Sequence, residues 1–418
     1  MVVMAAALIL GLPAMNVAYG ASRPDPPASR LGRMLAHLYG LGLDTVSGVE
    51  ALRGVDVRAR DDGWAVGGAC VNRGCTRERT LIERWNRRRW SRVSSPDVTA
   101  LQTLTSVSAV SGRDAWAVGS YLTRNDDAIR TLIVHWNGTR WLRVPSPDPS
   151  ASATSGLNGL ASVTAISGRD AWAAGVVAQG STVLRPLLLH WNGTRWSAVP
   201  SPRKTGNSQI GSVSAASAGD IWAVGTYGDA GSHALVEHWD GTTWRIVAAP
   251  ARPRGQVQLT AVIALSARRA WAVGAVCPDR CLSANPPSHG VIWRWNGRRW
   301  APAAPPRAGA ASALSAVAAA SATNAWAVGE YCTRACALEG LPVKAARLMF
   351  LHWNGTRWSR VAGPSLGRDP HLVEGVSALS RRSAWAVGQI CIRNCTLASS
   401  PVTRPLMMRW NGQRWRSG

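Results

Sequence analysis

The chain has 418 residues, 46% of them hydrophobic and 17% charged, with a formal net charge of +24. That length and apolar content suffice for a full core and exclude wholesale disorder. The charge is nearly all arginine, Lys204 and Lys344 being the only lysines, which fits GC-rich coding as well as an anionic partner.

Residues 1–20 are predicted to be an export signal, apolar over residues 2–15, with Ala18-Tyr19-Gly20 as the small-residue cleavage site. The run is too short and too broken by Gly and Pro to span a membrane, and a basic n-region is missing. Residues 21–50 are predicted to be a linker with one short amphipathic helix, in which Leu31, Met34, Leu35 and Leu38 follow a Ser29 cap.

From residue 51 to 418 two phrases alternate seven times. One is Asp-Ala-Trp-Ala-Val-Gly and its variants, carrying Trp64, Trp116, Trp172, Trp222, Trp271, Trp326 and Trp385. The other is His-Trp-Asn-Gly-Thr-Arg-Trp and its variants, carrying seven tryptophan pairs from Trp85/Trp90 to Trp410/Trp415. Together they use every one of the 22 tryptophans except Trp293, so tryptophan belongs to the repeat. The period is 49 to 59 residues, the range of propellers and solenoids.

Each unit divides into four short strands. In the second copy, "LTSVSAVS" is the first strand, "SGRDA" a tight turn and "AWAVGSY" the second strand. A variable loop leads to "TLIVHW", "NGTR" is a hairpin turn, and "WLRV" closes the unit before a proline. The predicted fold is therefore all-β: a seven-bladed β-propeller with four antiparallel strands per blade. The blades fall at about 51–96, 101–147, 157–202, 208–250, 256–305, 312–364 and 371–418. Paired tryptophans five residues apart across the hairpin share one sheet face and, with the second-strand indole, fill the space between blades.

The order of glycine-ending strand, variable loop, aromatic, turn, tryptophan and proline-containing exit, as in "AWAVGG … ERWNRRRWSRVSSP", resembles the kelch repeat. It is similar to the galactose oxidase central domain and to secreted, tryptophan-rich kelch-like proteins of actinobacteria and related bacteria. It departs from kelch in having one glycine where that motif has two, except at Gly67-Gly68. The resemblance implies a propeller scaffold and no single activity.

Histidines 135, 190, 238 and 352 precede the first hairpin tryptophan, where Arg84, Arg294 and Arg409 stand in other blades. Arginine is no ligand, so this ring does not read as a metal site. Asp62, Asp114, Asp170 and Asp220 read as turn residues, replaced elsewhere by Arg269, Asn324 and Ser383. The Asn-Gly-Thr sequons at Asn137, Asn192 and Asn354 read as turns too.

The cysteines form four close pairs, Cys70/Cys75, Cys277/Cys281, Cys332/Cys336 and Cys391/Cys395, which in an exported chain predict four loop disulfides. Those loops lie in blades one, five, six and seven, which ring closure makes contiguous. Blades five to seven also have the longest stretches between second-strand and hairpin tryptophans, 24, 27 and 25 residues against 17 to 21 elsewhere. A ligand is expected on this arc, with Arg280, Tyr331, Arg334 and Arg393 among its contacts. A basic rim is expected from Arg89, Arg140, Arg195, Arg299, Arg357 and Arg414, each just before the last hairpin tryptophan.

No convergent catalytic set, metal site or cofactor motif is legible, and glutamates are few and scattered. The expected protein is an exported, monomeric, non-catalytic binding module for a glycan, an anionic cell-wall polymer or a protein. The alternative is a propeller-based hydrolase or oxidase acting on extracellular carbohydrate. Nucleic acid fits the charge but lacks stacking platforms, because the core claims the aromatics.

Overall fold

Seven antiparallel sheets, each built from four consecutive strands, form the blades of a closed β-propeller. The computed structural model describes residues 49–418 apart from 73–74, 76, 124–127, 151–155, 180–182, 229–232, 251–254, 278–287, 334–345, 368 and 394–401. The expected export signal and the helix around Leu31–Leu38 lie outside the described residues, which contain no helix. No helix there is long and apolar enough to cross a membrane.

In blade one the strands are Glu50–Ala59, Asp62–Cys70, Glu78–Trp85 and Trp90–Arg92. The other blades repeat this order over residues 102–143, 158–199, 208–246, 256–302, 311–361 and 371–417. First strands of neighbouring blades pack against each other around the whole ring, blade seven on blade one included. Among the described residues no blade borrows a strand from another.

The second-strand phrase explains how blades stack. Its alternation puts Trp and Val on one sheet face and Ala and Gly on the other. Trp64, Val66 and Ile82 of blade one pack into Ala115, Ala117, Leu132, Val134, Trp136 and Trp141 of blade two. Large side chains thus enter a face kept small to receive them.

Trp64 lies 4.9 Å from Trp136, tilted, and 5.0 Å from Trp141, edge to face. The same trio recurs at every seam, through to Trp385 of blade seven against Trp85 and Trp90 of blade one at 4.7 and 5.2 Å. Edge-to-face contact suits the indole quadrupole. The first hairpin indole of each blade also donates its N–H to its own first turn, as Trp136 does to Gly112 O at 3.1 Å and Trp410 to Arg381 O at 3.0 Å.

The second-strand glycine answers to a bulge. In every sheet the pairing of first and second strands slips by one residue at the same level, between Leu104 and Ser106 in blade two. The bulge presses the first-strand backbone onto the glycine: a Cβ on Gly119 would sit 2.1 Å from Thr103 O. One glycine per unit meets this need.

Around the axis, hydroxyls of one first strand accept N–H groups of the next. Ser106 and Ser108 accept from Val163 and Ala165, and Ser212 and Ser214 from Val262 and Ala264, at 3.0–3.2 Å. At the closing seam Ser377 accepts from Val57 N–H at 3.0 Å, and Arg53 pairs with Glu374 at 3.2 Å.

Candidate functional site

The first turn and the hairpin turn of each blade meet on one face of the disc. Asn137 Oδ1 accepts N–H bonds from Thr139 and Arg140 at 3.0 Å, and Gly138 takes φ of 96°. That glycine sits so close to the Arg113 stem that a Cβ would lie 3.1 Å from it. The same arrangement joins Gly193 to Arg169, Gly297 to Arg268 and Gly412 to Arg382.

The six expected rim arginines, Arg89, Arg140, Arg195, Arg299, Arg357 and Arg414, are all exposed on these turns. Arginines with ion pairs among the described residues are Arg53, Arg77, Arg79, Arg84, Arg87, Arg92 and Arg245. None of the rim six is among them. First-turn arginines Arg113, Arg169, Arg268 and Arg382 are exposed beside them and double the rim. Blade four breaks it: Thr243 replaces the arginine, and Asp240 pairs with Arg245 at 3.1 Å. Hydrogen bonds, first from the Thr242 hydroxyl and then from backbone N–H groups, hold the Asp240 carboxyl below its usual range.

The histidine slot is a cap on the second-strand indole. His135 lies 4.2 Å from the Trp116 ring and its Nε2 meets Asp114 Oδ1 at 2.8 Å. His190 and His238 repeat this with Asp170 and Asp220 at 2.9 and 2.7 Å. His352 meets Asn324 at 2.7 Å, and burial, then the Arg381 charge, push its pKa down. Arg84 fills the slot in blade one, 5.0 Å over Trp64 and 3.6 Å from Asp62. Histidine and arginine exchange because each lays a flat group on the indole. The aspartates are thus partners of the cap as well as turn residues.

The second strands end on the opposite face. Cys70 and Cys75 form a disulfide, and Cys277, Cys332 and Cys391 are also disulfide-bonded. Cys281, Cys336 and Cys395 lie outside the described residues, as do Arg280 and Arg334. Digestion without reduction is expected to release the Cys70–Cys75 link together with Cys277–Cys281, Cys332–Cys336 and Cys391–Cys395. Mass spectrometry showing free thiols or other pairings would overturn this arrangement.

Arg393 is exposed at the end of the blade-seven second strand, Ser383–Arg393. Tyr331, expected among the ligand contacts as an aromatic that the core leaves free, is claimed by the core: the ring is 7% exposed and belongs to the cluster between blades five and six. The Arg360 guanidinium covers it at 4.1 Å and donates to its hydroxyl.

Two buried carboxyls, Glu237 and Glu330, looked like scattered glutamates in the sequence. Glu330 lies between blades six and seven and accepts Val373 N–H at 2.9 Å. Burial, against that bond and with the nearby Glu374 charge, pushes its pKa up to about 8. Glu237 accepts the Ser201 hydroxyl at 2.8 Å, and burial pushes its pKa up to about 7. Their signal was a carboxylate at an inward strand position, legible only once each strand's buried face is known.

No family model and no curated protein matches the chain. Among solved structures it is similar to an ulvan lyase, at 10% identity and TM-score 0.53, covering 90% of this chain and 96% of that one. It is also similar to a xyloglucanase from Xanthomonas campestris, at 14% identity and TM-score 0.53, covering 89% of this chain and 55% of that one. A third is YCF48 from Cyanidioschyzon merolae, at 13% identity and TM-score 0.49, covering 88% and 97%. At such identities the likeness shows the propeller fold alone.

Proposed function

We propose that the protein is a non-catalytic propeller binding module whose turn face takes an anionic polymer outside the cell, a glycan or cell-wall polymer. One observation carries this reading: six exposed arginines without ion pairs recur at one position of six blades, all on one face. A rigid ring of like charges concentrates counter-ions and favours a partner with repeated negative groups. The disulfide-bonded cysteines and the signal-like N-terminus support an oxidising compartment. The kelch-like reading of the repeat rests on its residue order.

Binding of an anionic wall polymer is expected to weaken steeply as salt rises. Arg140→Glu, Arg195→Glu and Arg357→Glu together are expected to lower affinity roughly tenfold or more at low salt. Titration calorimetry across a salt series checks both. Affinity indifferent to salt and to the triple variant would refute the reading, and product release from the polymer would replace it with an enzymatic one.

A further inference from the structure

Blade five combines at three repeat positions residues that no other blade combines. Where blades two, three and four set a histidine against an aspartate, it has Arg294 and Arg269. No acid stands at either position. The Arg294 guanidinium lies 5.7 and 5.8 Å from the Trp271 and Trp353 rings, and its buried Nε has no hydrogen-bond partner among the described residues. At the third position, three residues after the last hairpin tryptophan, Val93, Val144, Val199, Val247 and Val361 pack toward the next blade. Blade five has Ala303 there.

At this seam, where alanine stands at the valine level, a cleft of about 490 Å³ lies between blades five and six, lined by Arg294, Asn296, Pro302, Ala303, Trp353 and Arg357 among others. That size suits a small-ligand site. Arg268, Arg298 and Arg299 stand exposed on the adjoining turns. Blade seven comes nearest, with Arg409 opposite Ser383 and Gly418 at the Ala303 level, but it adds one arginine where blade five adds two.

We propose that this cleft is the subsite for the acid group, carboxylate or sulfate ester, of an acidic polysaccharide. This rests on the reading of the turn face as anion-binding and gives it a specific anchor. An uncompensated, partly buried guanidinium gains most from an anion, because charge-assisted bonds there meet little competition from water. Beside the arginines, the Asn296 amide N–H groups can donate to sugar hydroxyls, and the Thr356 hydroxyl, which donates to Asn354 Oδ1, can still accept from one. Its indoles are almost wholly buried, so unstacked bases find no platform, which favours a polysaccharide over a single-stranded nucleic acid.

The test uses calorimetry with two short probes, a galacturonate trisaccharide and a sulfated disaccharide, and with polygalacturonate as the long one. Arg269→Asp with Arg294→His installs the pair that blades two to four already fold with. Ala303→Val restores the valine of blades one to four and six and narrows the cleft without changing charge. Each is expected to lower short-probe affinity roughly tenfold or more. Arg347→Asp with Arg404→His, an equal charge loss at exposed third-strand positions away from the turn face, is expected to lower it less than about threefold.

The probe that binds at one site and responds to Ala303→Val assigns the acid group as carboxylate or sulfate. Failure of both short probes to bind, or binding unmoved by Ala303→Val, overturns the cleft subsite. If polygalacturonate still weakens on rim charge reversal in that case, the turn-face reading stands; if it does not, both fall. An oligothymidylate that outbinds a charge-matched oligogalacturonate overturns the polysaccharide assignment.

Discussion

Alanine in place of Trp326 is expected to cost about 4 kcal/mol of stability, among the largest effects available to a single substitution here. The indole is fully buried and meets Trp410 at 4.9 Å, Trp415 edge-on at 5.1 Å and His352 at 4.5 Å. It lies on a central strand whose neighbours are hydrogen-bonded on both sides, so the walls of the resulting cavity cannot collapse inward. Trp191→Ala is the control, since that indole is only half-buried and holds its turn through one bond to Gly168 O at 3.2 Å. It is expected to cost about half as much. Chemical denaturation of both variants measures the difference. Equal, small losses would show that the indole wedges do not hold the seams.

Glu330→Gln and Glu237→Gln are expected to stabilise the protein in alkali and leave it nearly unchanged in acid. In the folded chain the two carboxyls keep their protons to about pH 8 and about pH 7, whereas an unfolded glutamate releases its proton near 4.5. Between those values the native chain binds more protons than the unfolded one. Stability therefore falls as pH rises and is lost through the folded pKa of each group. At pH 9 the glutamine is expected to recover on the order of 3 kcal/mol in place of Glu237 and on the order of 5 kcal/mol in place of Glu330, because it keeps the shape and an acceptor without the charge. At pH 4 the gain should vanish. Thermal melts of wild type and variants from pH 4 to 9 check it, and parallel curves would refute buried, protonated carboxyls.

The blades were legible because strand period, Asn-Gly turns and tryptophan spacing repeat seven times in phase. Cross-strand pairing of Trp136 with Trp141 matches the five-residue step read from the sequence. The reason for the single glycine was not legible, since a bulge is a relation between two strands and neither strand records it alone. Tyr331 misled because the sequence reading gave it to the loop after the second strand, whereas that strand runs on to Cys332 and the ring points into the seam beneath Arg360. Ala303 looked unremarkable until its position could be compared, across blades, with the valines at the same level in blades one to four and six. The rim arginines were legible as positions, and their common face follows from strand count.

Every blade owns its four strands, and every seam, the closing one included, is made by the same indole trio. Sheet boundary and sequence boundary therefore coincide. Duplication of one repeat copies a finished sheet with one donating and one receiving surface, and breaks no ladder. Divergence inside a copy, such as the two arginines and the alanine of blade five, is then confined to one seam of the ring. The other six seams remain free to change independently.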